Sequence, residues 1–116
     1  MAESYRDLLV WQRSIEMSLT IYKLTQGFPK EELFGLTSQV RRAGVSVASN
    51  IAEGYGRMSA GEYRQFLGMA RGSNHEVQTQ LFIACELGYG NIETLKKAEG
   101  LSIEVGKMLT AMLKNL

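Results

Sequence analysis

Cysteine, histidine, proline and tryptophan occur once each in the 116 residues. A lone cysteine excludes an internal disulfide framework. With a lone histidine, it also excludes a zinc finger or any Cys/His metal cluster built within one chain, so no metal and no cofactor are expected. The single proline and the low content of β-branched residues favour helices. Charge of one sign is missing too: thirteen Lys and Arg against twelve Asp and Glu give a formal charge of +1, which argues against a protein that coats nucleic acid. No apolar run reaches membrane-spanning length. The opening MAESYRDLLVWQRS interleaves charge with apolar residues, unlike a signal peptide. The expected setting is the cytoplasm, with no membrane partner.

What is present is ordinary globular composition, 45% hydrophobic and 22% charged, in a length that suits one domain over residues 1–116. Turn chemistry divides it into four segments. Gly27 and Pro29 mark the first break, Gly54 to Met58 the second, and Gly88 to Asn91 the third. Ser59 with Glu62 has the spacing of a capping box, and Asn91 suits an N-cap. These signals predict helices over 6–26, 30–54, 60–88 and 92–115. Apolar residues recur at three-four spacing: Leu33, Leu36, Val40, Ala43, Val47 and Ile51 in the second, and Tyr63, Phe66, Ala70, Val77, Leu81 and Ala84 in the third. The fourth carries Leu95, Ala98, Ser102, Val105, Leu109, Met112 and Leu116. Short connections between long amphipathic helices predict an all-α, up-down-up-down four-helix bundle.

The first helix carries two apolar stripes. Leu8, Trp11, Ile15, Leu19 and Tyr22 share one face, and Val10, Met17, Ile21 and Leu24 lie nearly opposite. Burying a large apolar side chain is worth about 1.5–3 kcal/mol. Leaving the second set wet would forgo about 6–12 kcal/mol, comparable with a domain's net stability. Val10, Met17, Ile21 and Leu24 are therefore expected at a homo-oligomer interface; the alternative is a helix covered by its own loops. Six glycines (Gly35, Gly44, Gly68, Gly72, Gly100, Gly106) fall inside the predicted helices. At about 0.5–1 kcal/mol each against Ala, they imply close backbone approach, expected mainly within the bundle.

Polar residues suggest two sites. Arg42, Asn50 and Glu53 on the second helix and Ser73 and Glu76 on the third are expected to form a structural hydrogen-bonded network. A catalytic carboxylate pair, Glu53 with Glu76, is the alternative, but no nucleophile or metal ligand set accompanies it, so no enzyme is expected. His75 points away from its seam, and Cys85 lies near the apolar face. Between residues 41 and 71, Arg41, Arg42, Arg57, Arg64 and Arg71 face only Glu53 and Glu62, a local +3. Repeated around an oligomer, these arginines are candidates for holding nucleic-acid phosphates; a solvated face with local ion pairs is the alternative.

The stretches Leu9–Gln12, Phe34–Ala43 and Ser49–Gly54, with Ala70–Ser73 and Glu76, carry a resemblance. The chain resembles the four-helix-bundle family whose founding members are encoded in intervening sequences of bacterial 23S ribosomal RNA genes. The resemblance covers essentially the whole chain. It implies a ring-shaped homopentamer without established enzymatic activity. A related branch, the accessory variability determinant of diversity-generating retroelements, binds reverse transcriptase and nucleic acid. That branch is strongly basic, and this chain, at +1, departs from it. The expected role is a homo-oligomeric binding or scaffold module whose partner is RNA or a nucleic-acid-processing protein. The alternative is a platform that binds only protein.

Overall fold

The computed structural model describes residues 3–116 and contains four α-helices: α1 Leu9–Thr25, α2 Leu36–Tyr55, α3 Ala60–Glu86 and α4 Ile92–Lys114. No strand occurs among the described residues. Helices consecutive in the chain pack on each other, and α4 closes the square against α1. The result is the antiparallel bundle that short loops demand, 43 Å long and just over 20 Å across.

Two helix starts differ from expectation. Tyr5–Asp7 forms a separate 3-10 turn capped by Ser4, and extended Leu8 separates it from α1. After Pro29, Lys30–Glu32 makes only another 3-10 turn, and Gly35 (φ −113°, ψ −116°) breaks the path to α2. Leu33 consequently lies outside the helix and is exposed, and Leu36 is the first residue of the real seam. Glu32 does the capping: its Oε1 accepts from the Leu36 amide at 3.1 Å and fills the space where a Gly35 Cβ would sit. The later starts follow the expected chemistry. Ser59 accepts from the Glu62 amide and Asn91 from the Thr94 amide. The reciprocal half of the Ser59 box does not form, because the Glu62 carboxylate faces Arg57 instead. Gly88 takes φ +72°, letting the Tyr89 amide reach back to the Ala84 carbonyl and end α3.

The core overturns the assignment made for the first helix. Val10, Met17, Ile21 and Leu24 are at most 3% exposed within the single chain, packed with Val40, Val47, Leu81 and Val105. They cannot form an oligomer interface. The other stripe lies outside, with Leu19 66% and Tyr22 42% exposed. The flank of small hydroxyls explains the choice. Ser14 and Thr25 are buried because each donates back to a carbonyl of its own helix, at 2.7 and 2.8 Å. Polar in composition, this flank still extends the buried face. Ser18 belongs to it, and a Cβ on Gly44 would lie 3.7 Å from its Oγ and 3.0 Å from Ile21 Cδ1. Small residues on both helices thus bring α1 and α2 together.

The helical glycines divide. Gly44, Gly54 and Gly106 meet neighbours across the bundle, and Gly54 is tightest, its missing Cβ 2.7 Å from Phe66 Cβ. Gly68, Gly72 and Gly100 face open space, so close packing within the bundle does not account for them. Gly54→Ala is therefore expected to destabilise by about 1–3 kcal/mol, because Phe66 Cβ moves only with its backbone. Gly72→Ala is expected to stabilise the isolated chain by about 0.5–1 kcal/mol. Urea denaturation of the two variants checks both signs.

Candidate functional site

Polar side chains on the facing edges of α2 and α3 meet across a cleft of about 260 Å³ lined by Gln39, Arg42, Ala43, Ser46, Ser73, Glu76 and Gln80. Antiparallel register builds it in layers. Ser46 and Ser73 set the level, their hydroxyls 2.9 Å apart. At a rise of about 1.5 Å per residue, one turn along brings Arg42 level with Glu76, and a further turn brings Gln39 level with Gln80. Ala43, Ser73 and Gln80 are buried at the floor, whereas Gln39, Arg42 and Glu76 are exposed at the rim.

The expected network forms only in part. Asn50 donates to the Ser46 carbonyl at 2.9 Å and to Ser46 Oγ at 3.0 Å, so Asn50, Ser46 and Ser73 make a continuous chain. Arg42 and Glu76 border the cleft without a hydrogen bond or ion pair to any described residue. Glu53 is not in the network. One turn before Arg57, it holds that guanidinium at 2.9 Å on the exposed end of α2. Counted from the Ser46–Ser73 level, Glu53 and Glu76 lie in opposite directions, about 15 Å apart along the bundle axis. That exceeds the separation at which two carboxylates share a general acid–base reaction, so the geometry does not assemble the catalytic pair.

A second polar layer went unrecognised in the sequence. Asn74 and Ser102, both fully buried, bond reciprocally: Asn74 Nδ2 donates to the Ser102 carbonyl and Ser102 Oγ donates to Asn74 Oδ1, both at 2.8 Å. The signal was present. Ala70, Asn74, Val77 and Leu81 keep seam spacing with a polar residue in a core position.

The five arginines disperse. Arg41 donates to Thr25 Oγ1 at 2.7 Å and lies over the Tyr22 ring. Arg57 sits between Glu53 and Glu62 and over Phe66. Arg64 and Arg71 fasten α3 to α4 through the Leu113 carbonyl and Thr110 Oγ1. Only Arg42 keeps a free guanidinium among them, so the structure does not bring the five into one patch. His75 is exposed and Cys85 half-buried against the core. No group of three or more His, Cys, Asp or Glu side chains among the described residues is placed to hold a metal. No helix of the described chain is long and apolar enough to cross a membrane.

Two tyrosines show raised pKa values, both away from the cleft. Tyr89 is raised chiefly because its hydroxyl donates to Glu32, with some burial besides. Tyr63 is raised by burial and by its neighbour Tyr55.

An apolar face lies on the other side of α2. One groove of about 530 Å³ is lined by Tyr22, Leu33, Phe34, Thr37, Ser38, Arg41, Arg42 and Val45. A second, about 260 Å³, continues from Val45 along Trp11, Ile15, Ala48 and Ala52 to Tyr5. Together they run the length of the α1/α2 pair. Phe34, 92% exposed, projects at one end. Arg42 borders both this face and the polar cleft.

The sequence model of the 23S rRNA-intervening sequence protein family matches residues 6–111. The chain belongs to that family. A crystal structure from Bacteroides thetaiotaomicron, described as a protein with unknown function from the S23 ribosomal protein family, shares the bundle at TM-score 0.81. It is 24% identical, and the alignment covers 91% of this chain and 99% of that one. At that identity the likeness speaks for the fold alone. No curated protein matches the sequence. Two of the stretches that carry the family resemblance meet at the polar cleft: one supplies Gln39, Arg42 and Ala43, the other Ser73 and Glu76.

The buried pair gives a direct test of register. Ser102→Ala leaves Asn74 Oδ1 without its donor and is expected to cost about 1–3 kcal/mol. Combining it with Asn74→Leu is expected to cost less than the sum of the singles, because no orphan oxygen remains on the side chain. A double-mutant cycle by urea denaturation measures that coupling.

Proposed function

We propose that this family member acts as a non-enzymatic homo-oligomer, a ring of the pentameric type, that serves as a binding or scaffold module for RNA or ribonucleoprotein. The observation that carries the assembly is the apolar face of α1 and α2, where Leu19, Tyr22, Leu33, Phe34 and Val45 are each more than 40% exposed. A contiguous apolar face this long is uncommon on a monomer. Its ends also differ in shape. Phe34 projects ahead of α2, whereas the small side chains of Ala48 and Ala52 line a groove near the other end, about 24 Å away. A knob and a groove at opposite ends of one face suit a head-to-tail contact, and head-to-tail contacts generate rings when the rotation closes.

The nucleic-acid part of the proposal rests on family membership and on the local +3 repeated around a ring. A second reading, a platform that binds only protein, is favoured by one observation: four of the five arginines already serve the chain's own groups.

Sedimentation tests the assembly. Wild type is expected to run well above the 12.9 kDa of one chain. Leu19→Asp is expected to run as a single chain with its helical circular dichroism intact, whereas Ile21→Asp, in the core, is expected to unfold. Wild type sedimenting as a single chain at micromolar concentration would overturn the assembly. Fluorescence anisotropy with labelled RNA across a salt series tests the partner. Binding is expected at low salt, falling steeply as salt rises; no binding at low salt leaves the protein-only platform.

A further inference from the structure

The groove between α3 and α4 separates charge by sign. Its volume is about 490 Å³, and Lys107 and Lys114 line it from α4, with His75 and Gln78 on the α3 side. Arg71 donates to Thr110, another lining residue, and Arg64 donates to the Leu113 carbonyl beside Lys114. Both acceptors are neutral, so each guanidinium keeps its charge and its remaining donors. All four cations are exposed. No Asp or Glu occurs in residues 63–75 of α3 or 105–114 of α4. The carboxylates that flank these stretches turn elsewhere: Glu62 to Arg57, Glu76 to the α2/α3 cleft and Glu104 to Arg13. Glu99 lies further off, about 12 Å from Lys107 along α4. Without these four cations the formal charge of the chain would be −3 rather than +1. One of the unexplained glycines belongs here as well. Gly68 falls between Arg64 and Arg71 at three-four spacing, and a Cβ on it would meet nothing within 4 Å. It keeps the α3 wall low where the two arginines stand.

We propose that this groove holds the sugar–phosphate backbone of double-helical RNA. The inference rests on the RNA reading above and gives it a surface. Two of the four cations, Lys107 and Lys114, lie outside the stretch from 41 to 71 to which the sequence pointed. Guanidinium and ammonium groups both bind phosphate, the first through two parallel hydrogen bonds and the second as a point charge. Arg64 to Arg71 and Lys107 to Lys114 each span about 10 Å, so positive charge runs along both walls as negative charge runs along a strand. The low wall at Gly68 chooses between polyanions. An acidic protein segment carries its charge at the tips of side chains and needs no close approach. A nucleic acid carries it in the backbone itself, which has to come near the helix. No aromatic side chain lines the groove, so unpaired bases have no platform on which to stack. A duplex, bound by its shape and its phosphates, needs none.

The experiment is fluorescence anisotropy of the full-length protein with a short labelled RNA duplex across a salt series. Lys107→Gln combined with Lys114→Gln is expected to weaken binding at least about tenfold at low salt and to flatten its salt dependence. Lys96→Gln combined with Lys97→Gln removes the same charge about 15 Å further along α4 and is expected to change affinity less than about threefold. Gly68→Leu, placed where it meets no neighbour, is expected to keep the helical circular dichroism and to weaken binding at least about threefold by raising the wall. Unlabelled duplex is expected to compete better than single-stranded RNA or polyglutamate. No binding of wild type at low salt overturns the RNA reading and this inference together. Binding that the Lys107 and Lys114 substitutions weaken no more than the Lys96 and Lys97 pair overturns the groove alone, as does wild-type affinity in Gly68→Leu. Competition by single-stranded RNA or polyglutamate as strong as by the duplex overturns the proposed occupant.

Discussion

A square bundle can cover one face of each helix, and α1 brings two. That mismatch governs the structure. Val10, Met17, Ile21 and Leu24 go inward because the serine and threonine flank beside them is small and satisfies its own hydroxyls, so α2 approaches closely through Gly44. The stripe on the other side of that flank, led by Leu19 and Tyr22, is left at the surface beside Val45 and Phe34. The inner stripe makes the domain; the outer one is the basis of the proposed assembly.

Polar groups set the register that the apolar seams leave free. Asn74 and Ser102 lock α3 to α4, and Ser46 with Ser73 and Asn50 does the same between α2 and α3. A bundle held only by aliphatic seams tolerates sliding by a turn, whereas a buried amide loses its partners if it slides. Gln80 breaks this pattern. Its oxygen is buried beside the α2/α3 cleft and has no hydrogen-bond partner.

Much of the fold was legible in the sequence, because helix seams and caps are local. Asn91 and Ser59 cap as their spacing implies, and the α4 seam is buried from Leu95 to Leu109. The second helix was placed too early because Gly35 breaks the backbone while Glu32 caps from outside it, a tertiary-like arrangement within a few residues. The inward stripe of α1 was misjudged for a different reason. Periodicity gives the angle between stripes but not which one meets a neighbour, and the hydroxyl flank that decides it looks polar. At the site, Arg42, Ser73 and Glu76 were found by spacing, since both edges face each other. Gln80 was left at the edge of its seam, because an unanswered oxygen is visible only once its surroundings are folded.

The central claim is that the surplus face of α1 and α2 is covered by another copy of the chain. Carbene footprinting across a dilution series, read residue by residue by mass spectrometry, tests it most directly. Leu19, Tyr22 and Phe34 are expected to be protected at high protein concentration and to gain label together on dilution, while Ile21 stays unlabelled throughout. Labelling of Leu19, Tyr22 and Phe34 that is high and unchanged at every concentration would contradict the account.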